Sequence, residues 1–137
     1  MRDHYTYEYA IIRVVPRVER EEFVNVGVIV LCAAQKFIDA RIELDERRLM
    51  AIDPALDLES IRAHLASISA IANGGDQAGP IGRLTPSERF HWLVAPRSTI
   101  IQTSPVHTGR CKDLAAVIER LLDTMVRQPR AESSASC

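Results

Sequence analysis

The 137-residue chain has no surplus of charge of either sign, no long hydrophobic run, no cysteine framework and no cofactor fingerprint. Each absence closes off a class of function. Lys and Arg total 17 against 18 Asp and Glu, a formal net charge of −1. A protein that holds a polyanion mainly by electrostatics carries a clear basic surplus, so a nucleic-acid partner is not expected. Arg41, Arg47 and Arg48 are the local patch that would have to serve one. The longest apolar run, residues 26–34, falls far short of the roughly 20 residues a membrane helix takes. Residues 1–8 hold no apolar signal-peptide core, so a cytoplasmic address is expected and no membrane partner. Cys32, Cys111 and Cys137 are an odd and scattered set rather than a disulfide framework. Cys32 lies in the apolar run and reads as a small packed hydrophobe, and Cys137 reads as a free thiol.

Catalytic motifs are also missing. Gly74, Gly75, Gly79 and Gly82 do not have the spacing of a phosphate-binding loop. There is no nucleophile elbow of the Gly-x-Ser-x-Gly type and no CxxC or HxxxH pair. His107 and Cys111 are four apart, but they are two ligands where a zinc site takes three or four. No catalytic residue, metal or cofactor is expected.

What is present describes a shape. Apolar residues are 47% and charged residues 26%, the balance of an ordinary soluble domain. One domain is expected over 1–128, with a disordered tail over 129–137. Residues 5–15 alternate and are rich in β-branched and aromatic side chains, which predicts a strand that Pro16 helps to end. Residues 23–32 form a second strand, apolar on both faces and therefore central or covered on both sides. Residues 37–44 give a third, and short connections make the three a meander.

Asp53-Pro54 reads as the start of a helix whose apolar stripe is Leu58, Ile61, Leu65, Ile68 and Ala72. Asn73-Gly74-Gly75 stops it. Thr85-Pro86-Ser87-Glu88 is a capping box with proline in the first turn. It opens a short helix that buries Phe90, Leu93 and Val94, with Trp92 at the core boundary. Residues 99–103 are a short strand and 104–109 a loop. The last helix, about 112–127, carries Leu114, Val117, Ile118, Leu121, Leu122 and Met125 at helical spacing. The order β-β-β-α-α-β-α predicts an α+β domain: a small antiparallel sheet of about four strands with helices packed mainly on one face.

Two clusters are oddly polar for their surroundings. Asn25 and Gly27 interrupt the valine-rich second strand, where glycine marks a bulge or a close approach. Arg13 is the matching oddity of the first strand. If odd positions face each other, Arg13 and Asn25 share a sheet face. The structural alternative is that Arg13 pairs with Glu21, Glu22 or another carboxylate and Asn25 bonds to local backbone. The second cluster is Arg97, Ser98, Gln102, Ser104, His107 and Thr108. Arg97 suits a carboxylate or phosphate, and His107 is a candidate acid or base. Turns select these same residue types for structural reasons.

At these residues the chain resembles a known family. Tyr9-Ala10-Ile11-Ile12-Arg13-Val14-Val15-Pro16 with Glu22-Phe23-Val24-Asn25-Val26-Gly27-Val28 resembles the opening of the bacterial domain-of-unknown-function family 3037 (DUF3037). The stretch from Glu88-Arg89-Phe90-His91-Trp92 through Pro96-Arg97-Ser98-Thr99, on to Gln102 and Ser104-Pro105-Val106-His107-Thr108-Gly109, resembles it too. The resemblance reaches to about Val126. It implies a small cytoplasmic bacterial protein, often encoded beside a HipA-type kinase-like protein, and so it implies that protein as a partner. Two readings follow. One is a non-catalytic accessory or binding domain partnered with a HipA-like kinase, with a homo-oligomer also open. The other is a small enzyme or binding protein for an anionic metabolite, with Arg13, Asn25, Arg97, Ser98, Gln102 and His107 in one pocket.

Overall fold

The strand that is apolar on both faces, β2 (Val24–Cys32), lies inside the sheet between β1 (Tyr5–Val14) and β3 (Phe37–Ile42). The computed structural model describes residues 4–96 and 99–129. The far edge of β1 is shared by two short strands, β4 (Ile101–Thr103) along its C-terminal half and β5 (His107–Cys111) along its N-terminal half. All pairings are antiparallel, and the class is α+β as the element order predicts. The sheet has five strands rather than about four, because β5 lies in the stretch expected as a loop. Thr108 and Arg110 are exposed there, so no apolar alternation marks it.

Both faces of the sheet are covered, which is why β2 needs no polar side. Ile12, Val14, Ile29 and Leu31 pack against α1 (Glu46–Ile52), α2 (Leu58–Asn73) and α3 (Pro86–Val94) through Leu49, Ile61, Leu65, Ile68, Phe90 and Leu93. Tyr7, Ile11, Val28, Val30 and Cys32 pack on the opposite face against Val117, Ile118, Leu121, Leu122 and Val126. That second layer is α4 (Leu114–Leu121) with the π-helical turn Leu122–Val126 that continues it. Each fully buried aliphatic side chain contributes about 1.5–3 kcal/mol, and the two layers hold the sheet from both sides. Cys32 is fully buried, as a small hydrophobe would be. Among the described residues no helix is long and apolar enough to cross a membrane.

The local signals act with some displacements. The Thr85–Glu88 capping box opens α3 as read. The helix expected from Asp53-Pro54 instead begins at Leu58, where the Asp57 side chain accepts from the Ser60 N–H. Asp53 closes a turn between α1 and α2: its Oδ1 accepts from the Ala55 N–H at 3.0 Å, and its Oδ2 lies 3.5 Å from the Arg17 guanidinium. α1 itself was not legible, because Leu49 is the one buried residue in its seven. The Arg127 N–H bonds to the Leu122 carbonyl, and this π turn shifts the helical phase. Met125 therefore rotates out to 39% exposure while Val126 turns in. Trp92, expected at the core boundary, is 46% exposed. The expected tail lies beyond the described residues except for Pro129.

Candidate functional site

A bulge in β2 builds the site. The register runs Ile12↔Gly27 and then Arg13↔Asn25, so Val26 is the extra residue. The extra residue inverts the side-chain alternation beyond it. Val24 and Val26 join Ile29 and Leu31 on the α1–α3 side, and Asn25 turns to the α4 side. Arg13 follows Tyr7 and Ile11 on that side by strand alternation. The same residue pairs with Gln102 on β4. Asn25, Arg13 and Gln102 thus form one row across three strands, at the end of the sheet where β1 gives out.

Arg13 sits in a cleft of about 220 Å³ lined by Arg13, Val15, Val18, Glu21, Phe23 and Gln102. Its guanidinium carbon lies 4.3 Å from the centre of the Phe23 ring, a cation–π contact. Its Nε is buried without a hydrogen-bond partner. Among the described residues no carboxylate lies within 4 Å of this guanidinium. Glu22, one of the acids expected to pair with it, is held by Arg20 at 2.7 Å. Glu21 lines the cleft but does not reach ion-pair distance. Val18 and Phe23 are 48% and 45% exposed at its rim.

The other candidates are engaged within the fold or stand apart. The Asn25 amide donates to the Met125 carbonyl at 2.9 Å, and Arg48 donates to the next carbonyl, that of Val126. Together they satisfy the end of the π turn. The Gln102 amide donates to the Thr99 carbonyl at 2.9 Å. Gly27 lies against β3, where an added Cβ would meet the Arg41 carbonyl oxygen at 2.6 Å, so it is a packing glycine. The Ser104 hydroxyl accepts from the Ile11 N–H. His107 pairs with Tyr9, with ring centres 5.3 Å apart. That is two rows along β1 from Arg13, about 13 Å at strand rise. Thr108 opposes Glu8, on the other face. Arg97 and Ser98 lie outside the described residues.

The structure thus unites Arg13, Asn25 and Gln102 and does not bring His107 or Thr108 to them. His107 and Cys111 sit four residues apart on one strand, about 13 Å, too far to share a metal ion. Burial pushes the Cys111 thiol up, away from thiolate chemistry. Sequence reasoning missed Val18 and Phe23, and named Glu21 only as an ion-pair partner of Arg13. Phe23 reads as the first core residue of a strand, and only the register shows its ring lying beside Arg13.

A larger groove of about 540 Å³ runs between α1 and the chain beyond α4, lined in part by Glu43, Glu46, Arg48 and Arg127. Glu43, Glu46 and Arg127 are ion-paired within the chain, and Arg48 donates to a backbone carbonyl. Arg127 binds Glu43, Glu119 and Asp123 at 2.7, 3.0 and 2.8 Å, and Glu46 binds Arg62 at 2.7 Å. The expected basic patch is likewise engaged in part, with Arg41 3.6 Å from Glu119 and Arg48 on the Val126 carbonyl.

A protein-family model described as a protein of unknown function, DUF3037, matches residues 9–126. No curated protein and no solved structure matches the chain.

Proposed function

The chain belongs to the DUF3037 family, and on that premise we propose that it is a non-catalytic binding domain whose docking point is the Arg13 cleft. The observation that carries the reading is a guanidinium stacked on Phe23 with a buried, unpartnered Nε. Half-exposed apolar side chains, Val18 and Phe23, flank it. A fixed cation beside exposed apolar surface is the composition of a protein-recognition patch. The occupant proposed is a protein, and the HipA-like kinase that the family resemblance implies is the partner to test.

The alternative, a pocket for an anionic metabolite, has less support. It needs Asn25, Gln102 and His107 around Arg13. The first two amides are bound to carbonyls of the chain itself, and His107 stands two rows away. The cleft is also smaller than the roughly 300–1,000 Å³ that encloses a small molecule.

The test is co-expression with a HipA-like kinase from the same genome, followed by size exclusion at micromolar concentration. Co-elution that is weakened by Phe23→Ala supports the reading. Separate elution of the wild-type proteins overturns the kinase as partner.

A further inference from the structure

We infer that the cleft is a carboxylate anchor: Arg13 receives one Asp or Glu side chain of the bound protein, and an aliphatic neighbour of that acid rests on Val18 and Phe23. The inference depends on the binding function proposed above and adds the chemistry of the occupant.

A guanidinium N–H withdrawn from water without an acceptor, as the Arg13 Nε–H is, is costly, and folds relieve that cost by supplying acceptors. This chain does so at Arg89, whose guanidinium donates to the carbonyls of Leu84, Ile71 and Ala72. It does not do so at Arg13. The Phe23 ring fixes one face of the guanidinium, so the planar donor fork is held in place before any ligand arrives. A carboxylate is the group whose geometry matches that fork.

The surroundings narrow the ligand further. Asn25 and Gln102, the polar neighbours in the row, each have one amide N–H committed, to the Met125 and Thr99 carbonyls. Arg13 is the cation of the row and the donor that pairs best with an anion. Glu21 also lines the cleft, and its negative charge disfavours a dianion such as a phosphate monoester. Arg13 supplies one positive charge, enough to pair with one carboxylate and not with a dianion. A volume of about 220 Å³ admits a side chain, and the open apolar rim continues the contact onto a larger body. A protein segment supplies both.

The test uses the full chain, with a capped peptide, acetyl-Ala-Leu-Glu-Leu-Ala-amide, as probe and its glutamine counterpart as control. The readouts are the Arg13 Nε–H and Phe23 ring signals by NMR. The glutamate peptide should shift both signals and saturate, and the glutamine peptide should bind about tenfold more weakly, the loss of one charge-assisted pair. Arg13→Gln should abolish the glutamate preference, and Glu21→Gln should tighten binding by removing the like charge. Equal binding of the two peptides would overturn the anchor. So would an unmoved Arg13 signal with glutamate peptide up to about 10 mM, the affinity expected of one pair. Propionate producing the same shifts at the same concentration would mark a site for free small acids and overturn the protein source. If Phe23→Ala breaks the complex with the protein partner while Arg13→Gln leaves it intact, the binding function stands and the carboxylate anchor falls.

Discussion

Ser104 meets Ile11 twice: its hydroxyl accepts from the Ile11 N–H at 2.9 Å, and its own N–H donates to the Ile11 carbonyl at 2.8 Å. The pair lies at the break between β4 and β5. Between the Ile12↔Thr103 and Tyr9↔His107 pairings, β1 has Ala10 and Ile11 while the other side has Ser104, Pro105 and Val106. The extra residue leaves no carbonyl in register for Ile11, and the hydroxyl stands in for it. Ile11 is buried, so Ser104→Ala strands a buried N–H. The expected cost is about 1–3 kcal/mol, read as a lowered urea midpoint with an unchanged slope. A stability equal to wild type would mean that another acceptor reaches Ile11.

Gly27 makes a second prediction at the bulge. A methyl group there would lie 2.6 Å from the Arg41 carbonyl oxygen and 3.2 Å from Ile12 Cδ1. The first neighbour is backbone in a paired strand and cannot swing aside. Gly27→Ala should destabilise the fold by about 1–3 kcal/mol through overpacking. Thermal unfolding measures it. Peptide binding at the cleft in the surviving folded fraction should be little changed, because Gly27 faces away from Arg13.

How much of this was legible depended on whether a residue's neighbours were near it in the chain. Strand alternation, the α3 capping box and the apolar stripe of α2 are local patterns, and they placed most of the elements. β5 was invisible because its strand character comes from β1, not from its own residues. Gly109, for one, is required by the Tyr7 ring laid across it, where a Cβ would meet the Tyr7 hydroxyl at 2.5 Å. Met125 fits the helical stripe in sequence and faces out in the fold, since the π turn adds a residue that no periodicity announces. The site behaved the same way. Arg13 and Asn25 were conspicuous as polar residues in apolar strands, and their shared face followed once the register was known. Phe23, 10 positions from Arg13, could not be assigned to it without the Val26 bulge.

Acid should weaken one cross-link between β3 and the end of α4. Glu43 is held below the usual carboxylate range, first by hydrogen bonds from Arg127 at 2.7 Å and then against a smaller opposing effect of burial. A carboxyl lowered in the folded state stabilises the fold fully above its ordinary value of about 4.3, and that contribution fades as the pH falls through the lowered value. Glu43→Gln should therefore be less stable than wild type at pH 7 and equal to it once both are well below pH 4. With the Glu43 side chain 40% exposed, the difference at pH 7 should not exceed about 1 kcal/mol. Paired urea titrations at the two pH values show it, and a gap that widens in acid would contradict the assignment.

Arg89 tests what a satisfied buried guanidinium is worth. It is 9% exposed, and its Nη1 donates at 2.6 Å to Ala72 and 3.1 Å to Ile71, at the carbonyl end of α2. Positive charge is favoured at that end of a helix. Removing it leaves the Leu84, Ile71 and Ala72 carbonyls without this donor. Arg89→Met should cost about 3 kcal/mol, the scale of losing charged hydrogen bonds in a buried setting. Arg89→Lys should recover little, because one ammonium cannot span three carbonyls on two segments. Chemical denaturation of the three proteins ranks them.

Arg13 should behave in the opposite way, and the contrast separates a ligand-facing arginine from a structural one. Within the fold it has the Phe23 ring and no acceptor for its buried Nε. Replacing it with Met forfeits a cation–π contact of about 0.5–1 kcal/mol and relieves an unsatisfied buried donor, a change of similar size and opposite sign. Arg13→Met should therefore unfold within about 1 kcal/mol of wild type, on the scale of an ordinary surface change. A guanidinium that the fold does not need, yet holds against Phe23 with its Nε buried, is what the proposed docking role requires. If Arg13→Met instead loses as much stability as Arg89→Met, then Arg13 is bound within the chain, and the cleft loses the free cation on which a partner's acid would dock.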